Sequence, residues 1–211
     1  TGILLSDGYV PNGAKPWKYH ESKDLTPIVV NFKKRLNENE ENFQPYLRDE
    51  NLVRAWAVPG NAGLEHRVGG LEKQNITGNV SYDPENHQLM VKIRQEKIDK
   101  IADDIPEQKI DNGPEKGKVL VLGWGSTYGA IKSAVASVLS EGYEVSHIHL
   151  RYVRPFPKNL GSLIKNFEKV LIPELNNGQL IKIIRDKYLV DAKGFNKIMG
   201  IPFAKQEIID E

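Results

Sequence analysis

The clearest alternation of apolar and polar positions lies in the second half of the chain. Val119, Leu120, Val121 and Leu122 form a continuous apolar run, the mark of a strand covered on both faces. The run enters a corner of Gly123, Trp124, Gly125, Ser126 and Thr127. Apolar residues then recur at Ala130, Ile131, Ala134, Val135, Val138 and Leu139, a helical spacing that predicts a helix over 128–139 stopped at Gly142. Further runs predict a strand over 145–153 closed by Arg154-Pro155-Phe156-Pro157, a helix over 160–167 and a strand over 170–172. A helix over 179–189 and a last short strand near 197–199 complete the rhythm. Strands alternating with helices predict an α/β fold of three layers, a mainly parallel sheet with helices on both faces.

The first half is patterned differently. Residues 3–10, ILLSDGYV, read as a buried strand ending in a polar turn. Residues 11–50 carry scattered prolines and a nearly all-polar stretch over 33–42, which predicts a connector with only Ile28-Val29-Val30 hinting at a strand. Asp83-Pro84 is a strong helix start, and the helix is expected to run from 84 to about 102. Residues 104–117 read as a loop. The chain opens on a strand pattern without an initiating Met, which predicts a fragment of a longer protein.

Composition narrows the chemistry. The 211 residues carry 29 basic and 28 acidic side chains, a net charge of +1, so no field draws the chain to nucleic acid or a membrane surface. No Cys is present, which excludes disulfides, Fe–S ligation and Cys-based zinc sites in this chain and fits a reducing cytoplasm. Five dispersed His offer no metal-ligand spacing, and no apolar run approaches the roughly 20 residues of a membrane helix.

Two corners carry the candidate site. A strand that turns directly into a helix aims backbone N–H groups and a positive dipole end outward, a setting for an anion or a polar partner. Gly123, Gly125, Ser126 and Thr127 form one such corner; Glu174, Asn176, Gly178 and Gln179 form the other. If the second strand lies outside the first, the order 2-1-3 puts both at the switch-point crevice where open α/β sheets bind ligands. The glycines serve tight turns as readily as a phosphate cradle. The third glycine, Gly129, stands at the wrong offset for a dinucleotide fingerprint. His147 and His149 share one strand face and are expected to be satisfied structural residues. No nucleophile–base set is visible, so no catalytic residue and no metal ligand is assigned.

The blocks LSDGYVPNGAKPW, GLEHRVGGLEK, TGNVSYDPENHQLM, VLGWGSTYGAI, HLRYVRPFP and NKIMGIPF occur in one order. Together they resemble the C-terminal half of the α subunit of 2-oxoglutarate:ferredoxin oxidoreductases, in the 2-oxoacid:acceptor oxidoreductase family. The resemblance implies a thiamine-diphosphate enzyme that oxidatively decarboxylates 2-oxoglutarate, forms succinyl-CoA from coenzyme A and passes electrons to ferredoxin. Pyruvate and branched-chain enzymes share this architecture and remain alternatives. It further implies a β subunit that holds the diphosphate, its Mg ion and an Fe–S cluster, together with a second copy of the α subunit, in the cytoplasm.

On that map residues 1–16 end a pyrimidine-binding domain, 17–50 connect, and 51–211 form a transketolase C-terminal-like domain. The family's substrate and cofactor motifs, a YPITP-like segment and an Arg-Thr-Gly-rich block, are absent here, so the fragment alone is expected to decarboxylate nothing. Its expected roles are subunit assembly and bordering the coenzyme A path. The two corners are the contact candidates, and Glu65, His66 and Arg67 in the glycine-rich GLEHRVGGLEK segment are the interface candidates.

Overall fold

A computed structural model describes residues 3–6, 13 and 20–211. It divides into two compact units, one of Trp17–Asp104 and one of Ile105–Glu211 together with Thr1–Pro16. Residues 51–104 thus group by contact with the stretch before them.

The 17–104 unit is mostly turns and loops. Its two strands, β1 (Phe32–Lys33) and β2 (Trp56–Ala57), pair in parallel with Phe32 opposite Trp56. Their rings meet edge to face at 5.5 Å. The expected strand at Ile28-Val29-Val30 does not form; those side chains are exposed, and pairing begins only at Phe32, where an aromatic partner is in reach. Helix α1 (Pro84–Lys100) starts as read, with the Asp83 carboxylate accepting from the Glu85 N–H at 3.1 Å and Pro84 in the first turn. Only Asn86 and Met90 of α1 are buried. Asn86 acts as a clamp, donating to the Lys73 carbonyl and accepting from the Asn75 N–H.

The second unit is built on β3 (Gly117–Trp124), β4 (Val145–Leu150), β5 (Phe167–Glu174) and β6 (Ala192–Asn196), all parallel in the order β4-β3-β5-β6. The expected 2-1-3 arrangement of the first three strands is the one observed. Helices α2 (Tyr128–Ser140), α3 (Leu160–Ile164), α4 (Gln179–Tyr188) and α5 (Lys205–Ile209) cover it. The period-two geometry of β3 divides the core. Leu120 and Leu122 pack with Leu160, Ile164, Leu180 and Ile184 of α3 and α4. Val121 faces the other way, onto Ile131, Ala134 and Val135 of α2 and Ile208 of α5. Each fully buried Leu or Ile contributes about 1.5–3 kcal/mol, which makes this two-sided core the main source of order in the unit.

At the ends of the chain two expectations fail and one element goes unanticipated. Residues 3–6 form no strand and are exposed; 7–10 lie outside the described residues. The last strand is β6 rather than 197–199. Ile198 and Met199 project outward, whereas Ala192 packs into the core and the backbone of 192–196 completes the ladder with β5. Helix α5 had no periodic signal in its five residues, being held instead by Glu207, which accepts from the Ala204 N–H and from Lys197 Nζ at 2.7 Å.

The free side of β4 is covered by the loop before β3. Asp111 N–H donates to the His147 carbonyl, His147 N–H donates to the Asn112 carbonyl, and the Asp111 carboxylate takes the His149 N–H, each at 2.8 Å. Gly113, at φ +97°, lies so close to the Val145 carbonyl and Ser146 that no side chain fits there. No helix among the described residues is long and apolar enough to cross a membrane.

Candidate functional site

Strand β3 has β4 on one side and β5 on the other, so the chain leaves it in opposite directions and opens a crevice at the carboxyl ends of β3 and β5. A cleft of about 550 Å³ occupies this position. Trp124, Gly125, Ser126 and Thr127 line it from the β3 corner, Leu175 and Asn176 from the β5 corner, and Leu4, Leu5 and Ser6 complete the wall.

The β3 corner is a single 3-10 turn, Gly125–Thr127, that leads into α2. Thr127 is buried, and its hydroxyl both accepts from the Trp124 N–H at 3.2 Å and donates to the Trp124 carbonyl at 2.8 Å. Gly125 takes φ +60° with open space where a side chain would stand. Gly123 sits beneath the cleft: a Cβ there would lie 2.5 Å from Ile131 and 3.1 Å from both His149 Nδ1 and the Thr127 hydroxyl. The corner can therefore close only over a glycine.

The β5 corner uses its donors internally. Glu174 is fully buried, and its carboxylate accepts the N–H groups of Leu180 at 2.9 Å and Ile181 at 3.1 Å. Asn176 Oδ1 accepts the Gln179 N–H at 3.0 Å. The first-turn amides that would favour an outside anion are thus capped from within. Gly178 lies just before α4 at φ +71°, close against Asn196. Asn176 reaches the cleft; Glu174, Gly178 and Gln179 are not among the residues that line it.

Behind the β3 corner stands an aromatic cluster that the sequence left unremarked. Tyr128 packs on His149 at 4.9 Å and on His147 at 5.6 Å, and the two imidazoles meet edge to face at 5.9 Å. Burial pulls the His147 pKa down to about 4, with Asp111 opposing and His149 and Lys132 adding to the fall. Burial also lowers that of His149, against the raising influence of Asp111 and of a hydrogen bond to the Gly125 backbone. With its pKa near 4, the His147 ring is neutral at pH 7. Among the described residues neither His147 ring nitrogen, nor His149 Nδ1, has a hydrogen-bond partner, so these residues pack as rings and the expectation that both are satisfied is corrected.

Glu65, His66 and Arg67 lie far from this chemistry in sequence and sit exposed on a loop of the other unit. His66 Nδ1 is 2.8 Å from the Leu64 carbonyl, and its ring packs edge to face on Phe43 at 5.2 Å. Buried Lys73 ties down the end of the same loop, donating to the carbonyls of Gly69 at 3.2 Å and Leu71 at 2.6 Å. No group of three or more His, Cys, Asp or Glu side chains among the described residues could hold a metal ion. With no Cys in the chain, an Fe–S cluster finds no thiolate ligands here.

Residues 117–202 match the family described as pyruvate:ferredoxin oxidoreductase core domain II. Over 207 residues the chain is 47% identical to 2-oxoglutarate oxidoreductase subunit KorA of Mycobacterium tuberculosis (strain ATCC 25618 / H37Rv), covering 98% of this chain and 31% of that protein. The 2-oxoglutarate synthase subunit KorA of Methanocaldococcus jannaschii is 31% identical over 137 residues, 65% of this chain and 36% of that one. Among solved structures, the 2-oxoglutarate:ferredoxin oxidoreductase of Magnetococcus marinus, with 2-oxoglutarate, coenzyme A and succinyl-CoA bound, superposes with a TM-score of 0.77 at 25% identity. That match covers 89% of this chain and 32% of the solved one. The chain therefore spans about a third of the length of these relatives. Fold, domain and near end-to-end identity agree that the chain is similar to one part of these 2-oxoacid:ferredoxin oxidoreductase subunits.

Proposed function

We propose that this chain is part of the α subunit of a 2-oxoglutarate:ferredoxin oxidoreductase, which converts 2-oxoglutarate and coenzyme A to succinyl-CoA and carbon dioxide and passes the electrons to ferredoxin. The observation that carries this reading is the 47% identity to the 2-oxoglutarate enzyme subunit over 98% of the chain. The whole assembly is cytoplasmic and contains a β subunit and a second α subunit. Thiamine diphosphate, its Mg ion and the Fe–S cluster are held outside this chain, which has no Cys to ligate a cluster. The bound cofactor supplies the carbanion chemistry; the residues described here bind and orient.

Within that assembly the switch-point cleft borders the coenzyme A path. Trp124, Leu175, Ser126 and Asn176 offer it apolar surface with polar side chains between, while the α4 amides are already taken. This chemistry suits a neutral, amide-bearing arm or a neighbouring peptide better than phosphate groups. Residues 51–211 are the transketolase C-terminal-like portion, and the exposed Glu65, His66 and Arg67 form an assembly contact.

The deciding experiment co-expresses the full gene product with its neighbouring β subunit and follows viologen reduction. 2-Oxoglutarate, pyruvate and 2-oxoisovalerate are supplied separately, each with and without coenzyme A. Reduction with 2-oxoglutarate alone among the acids, dependent on coenzyme A, is expected. Reduction with another acid moves the assignment within the family, and none with any acid in an assembled complex rejects it. Arg67→Ala is expected to weaken subunit association without changing the apparent coenzyme A affinity.

A further inference from the structure

The corner that ends β3 is braced from beneath by a single side chain of the next strand. His149 lies opposite Gly123 in the β3–β4 ladder. Residues paired across neighbouring strands send their side chains to the same face, and here one of the two has none. A Cβ on Gly123 would stand 3.1 Å from His149 Nδ1, so the glycine leaves room that the imidazole uses. The same ring hydrogen-bonds to the Gly125 backbone and packs edge to face on Tyr128 at 4.9 Å. It thus touches the corner at its entry, at its residue of positive φ and at the first residue of α2.

His149 is itself firmly placed. Its N–H is taken by the Asp111 carboxylate at 2.8 Å, and its neighbours Ile148 and Leu150 are buried in the core. On the cleft side Gly125 meets only open space where a side chain would stand. Gly125, Ser126 and Thr127 line the cleft, whereas His149 does not. Whatever the imidazole does for a ligand, it does through the corner.

The geometry points to His149 as the positioning residue of the cleft, holding Gly125 and Ser126 in place for the neutral amide arm of coenzyme A. This inference rests on the reading of the cleft given above. A turn through glycine has more freedom to lose than any other, and a brace already in place orders it before the ligand arrives. Its loss should therefore weaken binding more than turnover. His147 is the natural control: it stands opposite Val121, packs on the same Tyr128 and makes no hydrogen bond through its ring among the described residues.

The test uses the full gene product assembled with its β subunit, with viologen reduction followed against coenzyme A concentration. His149→Phe keeps a ring against Tyr128 and removes the nitrogens. The KM for coenzyme A should rise roughly threefold to tenfold, the loss of about one neutral hydrogen bond. At saturation kcat should stay within about twofold of the parent. His149→Gln, which restores an N–H donor, should recover most of the KM, and His147→Asn should leave it unmoved. An unchanged KM in His149→Phe, a fall in kcat alone, or an equal rise in His147→Asn overturns the proposal. If His149→Phe lowers the urea midpoint, Gly123→Ala decides, because it displaces the ring without removing it; a normal KM there also overturns the proposal. Hydrogen exchange at the amides of Gly125 to Tyr128 is read in the same complexes and should quicken in His149→Phe. A complex inactive with every 2-oxoacid rejects the functional reading. Exchange then decides alone whether His149 holds the corner, and an unchanged rate rejects that as well.

Discussion

In the four-stranded sheet, β3, β4 and β5 each bury side chains completely, and the helices on either face draw on opposite sides of the same strands. In the 17–104 unit only Pro45, Leu64 and Met90 of the described apolar side chains are buried, and each strand is two residues long. Order there comes from Asn86, Arg48 and Lys73, whose side chains tie backbone carbonyls and amides into loops. A close-packed apolar core stabilises itself wherever it is placed. A scaffold of polar ties around exposed Trp, Val and Leu is built to be covered, and its apolar surface says more about contacts than about folding.

The contrast is broken or sharpened by substitution. The largest effect is expected from Ile148→Ala, at a site with no exposed surface, costing about 2–5 kcal/mol in urea unfolding. Acid comes next. Because the folded protein binds the His147 proton more weakly than the unfolded chain does, the residue costs nothing well above pH 6.5. The cost grows as pH falls toward about 4, to on the order of 3 kcal/mol in full. Urea midpoints at pH 7 and pH 4.5 should diverge, and the gap should narrow in His147→Asn; an equal gap removes His147 from the acid response.

Glu174→Ala strips the caps from Leu180 and Ile181 and should cost about 1–3 kcal/mol, with amide exchange at the start of α4 accelerating first. Gly123→Ala forces a methyl against Ile131 and His149 and should cost about 1–3 kcal/mol, read in the same unfolding assay. Smallest is Trp56→Ser, exposed in the other unit, which should shift stability within about 0.5 kcal/mol. A large loss at Trp56 would show that the 17–104 unit has a core of its own there and would erase the contrast.

Much of the sheet was legible because its signal is periodic. The runs at Val119–Leu122 and around Val145, and the helical spacing from Ala130 to Leu139, follow from burial on two faces, and Asp83-Pro84 marked the start of α1 through capping alone. What escaped reading lacked a local period. Strand β6 depends on the ladder offered by β5, and helix α5 on the reach of Lys197 to Glu207, both tertiary facts. At the site, the sequence could bring two corners to one crevice, yet it could not tell that Glu174 faces inward to cap α4. The same four letters, Glu-Leu-Asn-Asn, permit either orientation. The imidazole cluster was visible only as two histidines on one strand face; Tyr128, which packs on both, arrives from the following helix.

The loop that bonds to β4 through Asp111 and Asn112 has a consequence for the sheet as a polymerisable edge. With that side occupied, a strand from another molecule can add only beside β6, whose described backbone is paired on one side alone. Lys193 lies exposed on β6, and a lysine at a strand edge discourages such addition. One border is sealed by hydrogen bonds and the other carries charge, so the sheet is limited in breadth to its four strands.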